Sequence, residues 1–220
     1  MAEYKVVEKF VSINGEGVLA GQLSVFIRFK GCNLNCSFCD TQWANSADTE
    51  YNVMTEEDIY SYIESTGVRN VTLTGGEPLL QKDIVCLLEL LSKHDNIRVE
   101  IETNGSVSLR TFLYTNATFT MDYKLACSGM EDKMDLDNLK LLRHQDTVKF
   151  VVGSRTDLER AEKVITEYNM TRKCHVYISP VFGMIELTEI VQYMVEHKMN
   201  NVNMQMQMHK IIWNPNARGV

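Results

Sequence analysis

Seven short apolar runs, at 24–29, 71–74, 98–103, 118–123, 147–152, 175–179 and 201–208, alternate with stretches of helical periodicity. The runs have the length and residue types of strands. Between them, Ile84, Leu87, Leu88 and Leu91 form one helical stripe, and Leu158, Ala161, Ile165 and Tyr168 form another. Thr156 and Glu159 have the spacing of a capping box opening the second helix. Strand–helix alternation builds parallel βα units, so the chain is of α/β class. Seven strands suit a partial (β/α) barrel with mostly parallel strands, with a doubly wound sheet as the other architecture. Either fold gathers ligand sites at the carboxyl ends of the strands.

With no internal repeat, no low-complexity linker and only three prolines, residues 1–220 read as a single domain. Lys and Arg number 22 against 29 Asp and Glu, a net charge of −7. A broad phosphate-tracking surface is therefore not expected, and neither is a nucleic-acid partner. No apolar run approaches the ~20 residues that span a bilayer. The first residues lack a signal-peptide core. A cytoplasmic protein with no membrane contact is the expectation.

Three of the six cysteines crowd into Cys32-Asn33-Leu34-Asn35-Cys36-Ser37-Phe38-Cys39, directly after the first core strand. Three thiolates on one tight loop can converge on soft metal ions, and thiolates are the usual ligands of iron–sulfur clusters. A four-iron cubane held by three cysteines keeps one iron open to another ligand. A structural zinc site in a binding module is the alternative, but it usually needs a second cysteine pair, and none is present. Cys86, Cys127 and Cys174 read as small core fillers.

The C-x3-C-x2-C loop resembles that of the radical S-adenosylmethionine (SAM) superfamily. The resemblance implies a [4Fe–4S] cluster on Cys32, Cys36 and Cys39, with SAM on the open iron. Thr74-Gly75-Gly76-Glu77-Pro78 follows the second core strand. Its glycines permit close backbone approach, and Pro78 favours an extended Glu77. After such a cysteine loop it resembles the superfamily motif that binds the SAM amino group. Glu102-Thr103-Asn104-Gly105 and Asp122-Tyr123-Lys124 place further polar groups at strand ends.

Arg28 lies in a strand expected to be covered on both faces, where an unpaired charge is costly. A ligand carboxylate or a structural salt bridge would satisfy it. Residues 201–209 read NVNMQMQMH, alternating strictly. Val202, Met204, Met206 and Met208 are expected in the core, with Gln207 and His209 facing the cavity.

Together with Phe10-Val11-Ser12-Ile13-Asn14-Gly15-Glu16-Gly17, Cys39-Asp40-Thr41, Gln207-Met208-His209-Lys210 and Ala217-Arg218-Gly219-Val220, these motifs are similar to those of the 7-carboxy-7-deazaguanine synthase family. That family contracts the ring of 6-carboxy-5,6,7,8-tetrahydropterin with loss of ammonia, on the route to queuosine. The resemblance implies pterin contacts from Ile13, Asn14, Gly15, Glu16, Arg28, Thr74, Gln207, His209 and Val220. It implies SAM contacts from Phe38, Cys39, Asp40, Gly75, Gly76, Glu77, Asn104, Asp122, Tyr123, Lys124, Ser179, Pro180, Val181 and Phe182. Thr41 would ligate Mg²⁺. An electron donor such as flavodoxin or ferredoxin and a homodimer are expected. The family's usual glutamine before GEG is Asn14 here, and Asp122-Tyr123-Lys124 replaces a common Ser-Pro-Lys. A glycyl-radical activase, which acts on a partner protein, is the other enzyme reading.

Overall fold

The computed structural model describes residues 2–215 and 217–220. The strands are β1 (Glu3–Ile13), β2 (Leu23–Phe29), β3 (Asn52–Thr55), β4 (Asn70–Gly75), β5 (Arg98–Thr103), β6 (Thr118–Tyr123), β7 (Thr147–Val152), β8 (His175–Pro180) and β9 (Val202–Met204). The helices are α1 (Glu56–Thr66), α2 (Ile84–Ser92), α3 (Asn138–Leu141), α4 (Arg155–Glu167), α5 (Leu187–Glu196) and α6 (Met208–Ile212). All strands share one sheet in the order β3-β1-β2-β4-β5-β6-β7-β8-β9. From β2 to β9 the neighbours are parallel, while β1 is antiparallel to β2 and β3. A doubly wound sheet reverses its strand order at a switch point. This one runs in chain order from β4 onward, so it is an open, partial (β/α) barrel. Among the described residues no helix is long and apolar enough to cross a membrane.

Period-two alternation gives the sheet two chemically different faces. Val25, Ile27 and Phe29 of β2 join Val71, Leu73, Ile101, Phe119, Met121, Val148, Phe150, Val176 and Ile178 in the hydrophobic core. The helices supply the other half of that core. All four stripe residues of α2 are buried, as are Leu158, Ala161 and Ile165 of α4; each of the Leu and Ile side chains contributes about 1.5–3 kcal/mol. The opposite face carries Ser24, Arg28, Thr72, Thr74, Glu100, Glu102, Thr120, Asp122 and Lys149, a polar interior of the kind a ligand cavity needs.

Two local expectations are corrected. Helix α4 is capped by Ser154, whose hydroxyl accepts from the Asp157 backbone N–H, and not by Thr156 with Glu159. The Asp157 carboxylate also accepts from the Gly153 N–H at 2.9 Å, which fixes the turn two residues earlier. The alternation at 201–209 supports only a three-residue strand, β9. Beyond it the Gln205 amide brackets Gly17, accepting from its N–H at 2.7 Å and donating to its carbonyl at 3.2 Å. The chain then turns into α6. Val202, Met204 and Met208 are half-buried and Met206 is exposed; only Val202 and Met204 lie in β9, and Met208 opens α6. Cys174 is buried as expected, whereas Cys86 is exposed.

Strands β1 and β3 were not expected. In β1 the register with β2 slips between Val6 and Glu8, and one extra residue moves the following side chains to the other face. Tyr4 and Val6 thus enter the outer core, while Glu8 pairs with Arg28 and Phe10 stacks on Phe26 at 5.0 Å.

Candidate active site

The carboxyl ends of the strands and the loops after them enclose one cavity. Phe26 and Arg28 come from β2, Thr74 from β4, Glu102 from β5, Asp122 from β6, and Lys149 and Val151 from β7. Cys32, Cys36 and Cys39 line the same cavity and are partly exposed to it. Their loop is clamped from several sides. Gly31 O accepts from the Glu77 N–H at 2.9 Å, and the Ser37 hydroxyl donates to Cys127 O at 2.6 Å. The Asn104 amide donates to Asn33 Oδ1 at 3.1 Å and reaches Cys32 Sγ at 3.6 Å. Gly76 explains the double glycine: a Cβ there would sit 2.0 Å from Gly31 O.

The cavity is strongly polarised. Lys149 pairs with Glu16 and lies 2.9 Å from Asp122 Oδ1, while Lys124 holds Asp122 Oδ2 at 2.8 Å. Burial alone would raise the Asp122 carboxyl, but Lys124 and Lys149 reverse that and hold it at about 2. Both Asp122 oxygens thus face an ammonium, and a carboxylate oxygen has a second lone pair with which to accept from a ligand. Among the described residues, Asn45 Oδ1 on the cavity wall and Ser179 Oγ near the end of β8 are buried without a hydrogen-bond partner. Burial, with Glu16 nearby, raises Glu102 to about 7; it accepts from the Thr74 hydroxyl at 2.7 Å. Burial also lowers His209 and raises the Cys36 thiol, the latter opposed by Lys124. Arg28 donates Nε to Glu8 at 2.7 Å, and its two Nη groups take no acceptor among the described residues. The salt bridge and a guanidinium edge facing the cavity therefore coexist in one side chain.

The C-terminal segment closes over this cavity. Lys210 reaches Asp40 at 3.2 Å, Arg218 stacks over Trp43 at 4.0 Å, and Val220 joins the lining.

The radical SAM superfamily profile matches residues 26–116. A protein of Clostridium acetobutylicum named 7-carboxy-7-deazaguanine synthase is 63% identical over 219 residues, covering 99% of each chain. The chain belongs to the 7-carboxy-7-deazaguanine synthase family. A Methanospirillum hungatei protein of the same name is 37% identical over 96% of this chain and 86% of its own. The crystal structure of QueE from Escherichia coli matches with a TM-score of 0.66 at 23% identity, covering 93% of this chain and 94% of that one, and shows the same fold. Membership of the radical SAM superfamily brings a [4Fe–4S] cluster and SAM, and sets aside the activase and zinc-module readings. The donor set fits that pair: three cysteine sulfurs on one rim, with the buried Asn45 amide oxygen and the Asp122 carboxylate beside them. Among the described residues no three His, Cys, Asp or Glu side chains converge tightly enough for a single metal ion.

Most residues that the synthase-family resemblance singled out meet in this cavity: Ile13, Gly15, Glu16, Arg28, Phe38, Cys39, Asp40, Thr41, Thr74, Gly75, Gly76, Asn104, Asp122, Lys124, Val181, Phe182, Gln207, His209 and Val220. Five do not line it. Asn14 is buried and donates to Glu100 at 2.6 Å, a contact its short amide makes inside the barrel. Glu77 is fully buried and turned inward, accepting from Leu79 N, the Thr103 hydroxyl and Asn104 N at 2.6–3.0 Å. It joins two loops and presents no charge to the cavity. Tyr123 points to the outer core, where its hydroxyl meets Glu131 and Arg160. Ser179 and Pro180 lie at the buried end of β8. Phe26, Leu34, Asn45, Lys149 and Val151 line the cavity without having been singled out, and Glu102, Thr103 and Lys210 line it from quoted motifs in which they were given no ligand role. Lys149 carried a usable signal, since it is the one charge in a strand reading TVKFVV. The argument applied to Arg28 applies to it equally.

Proposed function

We propose that this chain converts 6-carboxy-5,6,7,8-tetrahydropterin to 7-carboxy-7-deazaguanine with loss of ammonia. The observation that carries this is 63% identity, over 99% of both chains, to a protein of that name. The cavity supports it by facing the cysteine triad and the guanidinium edge of Arg28 into one space. When bound, the cluster and SAM supply one-electron chemistry that starts the ring contraction.

The chain's own residues bind, orient and handle protons. The Nη groups of Arg28 bind the substrate carboxylate as a bidentate pair. Ile13, Gly15, Glu16, Thr74, Gln207, His209 and Val220 surround the ring, and Phe38, Asp40, Gly76, Asn104, Asp122, Lys124, Val181 and Phe182 hold SAM. Glu102, poised at about 7, can take up or release a proton beside the ring. Substrate and product differ only by ammonia, so turnover needs no net electrons and SAM acts catalytically. The Thr41 hydroxyl would be the protein's ligand to Mg²⁺, an ion that usually keeps waters and borrows substrate oxygens. A flavodoxin or ferredoxin supplies the priming electron to a single-domain, cytoplasmic homodimer.

The test is anaerobic incubation of cluster-loaded protein with SAM, dithionite and the carboxytetrahydropterin, followed by mass analysis. A product lighter than substrate by one ammonia, formed over many turnovers per SAM, is expected. Cleavage of SAM with the pterin unchanged would overturn the substrate assignment.

A further inference from the structure

Every residue of β7 is buried, and Lys149 is its only charged one. The function proposed above gives it no task. Its ammonium is shared between two carboxylates from distant parts of the chain, Glu16 and Asp122. Glu16 lies in the loop between β1 and β2, and its second oxygen accepts from the Gln207 amide of the C-terminal segment at 3.2 Å. Asp122 ends β6, and its second oxygen is held by Lys124. A continuous chain of polar contacts, Gln207–Glu16–Lys149–Asp122–Lys124, therefore runs across the cavity from the wall assigned to the pterin to the wall assigned to SAM. Burial would favour the neutral amine, but Asp122, Glu16 and Glu102 keep Lys149 charged.

The two carboxylates compete for one ammonium. Asp122 is the weaker claimant, because Lys124 already neutralises it through its other oxygen at 2.8 Å. Carboxylates at strand ends commonly accept ribose hydroxyls. A hydroxyl donated to Asp122 would weaken its hold on Lys149 and strengthen the Lys149–Glu16 pair, fixing the loop that carries Ile13, Gly15 and Glu16.

We propose that Lys149 is a positioning residue that couples the two ligand sites, so that bound SAM tightens pterin binding by holding Glu16 in place. This rests on the assignment of the Glu16 wall to the pterin and the Asp122 wall to SAM.

The test is calorimetric titration of cluster-loaded protein, without reductant, with SAM and with the carboxytetrahydropterin, each alone and in the presence of the other. In the wild type, SAM should lower the pterin Kd by roughly 5–50-fold, and the pterin should lower the SAM Kd by the same factor. Lys149→Arg should keep most of that factor. Lys149→Met should bring it close to one. Because Lys149→Met leaves buried carboxylates unpaired, the paired variant Lys149→Met with Glu16→Gln is measured beside it and should show no coupling either. Amide exchange at 15–17 should slow on adding SAM in the wild type and in Lys149→Arg only. Wild-type coupling retained in either Met variant overturns the proposal, as does a wild type that binds both ligands independently. A wild type that binds SAM and no pterin sinks the substrate assignment itself, a distinct outcome.

Discussion

Glu102 shows how one buried carboxyl links stability to pH. Its ordinary value is 4.5, and burial with Glu16 raises it to about 7 in the folded protein. The stabilisation from its protonated form is thus complete below about pH 4.5 and is lost as pH rises through about 7. Glu102→Gln keeps an acceptor for the Thr74 hydroxyl and cannot ionise. Urea unfolding of the wild type should therefore lose more stability between pH 5 and pH 8 than the variant does, by on the order of 1–3 kcal/mol; parallel losses would show that Glu102 does not titrate there. Gly76 makes a steric counterpart. A methyl group there would collide with Gly31 O at 2.0 Å and Asn45 Oδ1 at 2.3 Å, and Gly31 opens the cysteine loop. Gly76→Ala should push that loop off its seat and lower iron incorporation several-fold, while Gly67→Ala, where a Cβ meets nothing within 4 Å, should leave iron content unchanged. Equal iron in the two would contradict the close-approach argument.

At the scale of elements, helix α4 separates what local sequence says from what the backbone does. Ser154 holds the cap and Thr156 lies inside the helix, so Ser154→Ala should cost about 1 kcal/mol in urea unfolding and Thr156→Ala much less; the reverse order would restore the spacing-based cap. Both pairs of positions have cap-like spacing, and the extended backbone of Ser154, its hydroxyl bond to Asp157 N and the Asp157 bond to Gly153 N decide between them. The parallel strands were legible as short runs rich in β-branched and aromatic residues, and β5, β6 and β7 fall at the expected limits. Strand β1 was hidden by its bulge, which exchanges the two faces and breaks the alternation at Val6-Val7 and Glu8-Lys9. The 201–209 stretch failed the opposite way: its alternation is perfect, but the Gln205 amide found the Gly17 backbone and ended the ladder. Among site residues, Arg28 was legible as a charge in a buried strand. Glu77 was misplaced, because a motif tells which loop carries a carboxylate and not which way it turns.

Across the whole molecule, the partial barrel explains why residues from Ile13 to Val220 meet in one place. Parallel strands in chain order bring their carboxyl ends to a single rim, and outer-face packing leaves the inner face free to be polar. The cysteine loop sits on that rim with the GG turn beneath it and the C-terminal segment across it. The scattered cysteines belong to other layers: Cys174 is buried at 9% exposure, Cys86 is on the surface of α2, and Cys127 packs against the outer core. The central claim is that the rim triad alone holds the cluster. It is tested most directly by measuring iron and acid-labile sulfide in the six single Cys→Ala variants after anaerobic loading. Cys32→Ala, Cys36→Ala and Cys39→Ala should each lose the four-iron cluster, while Cys86→Ala, Cys127→Ala and Cys174→Ala should retain close to four irons per chain. A wild-type iron content in any rim variant, or its loss in a folded variant of the other three, would contradict the account.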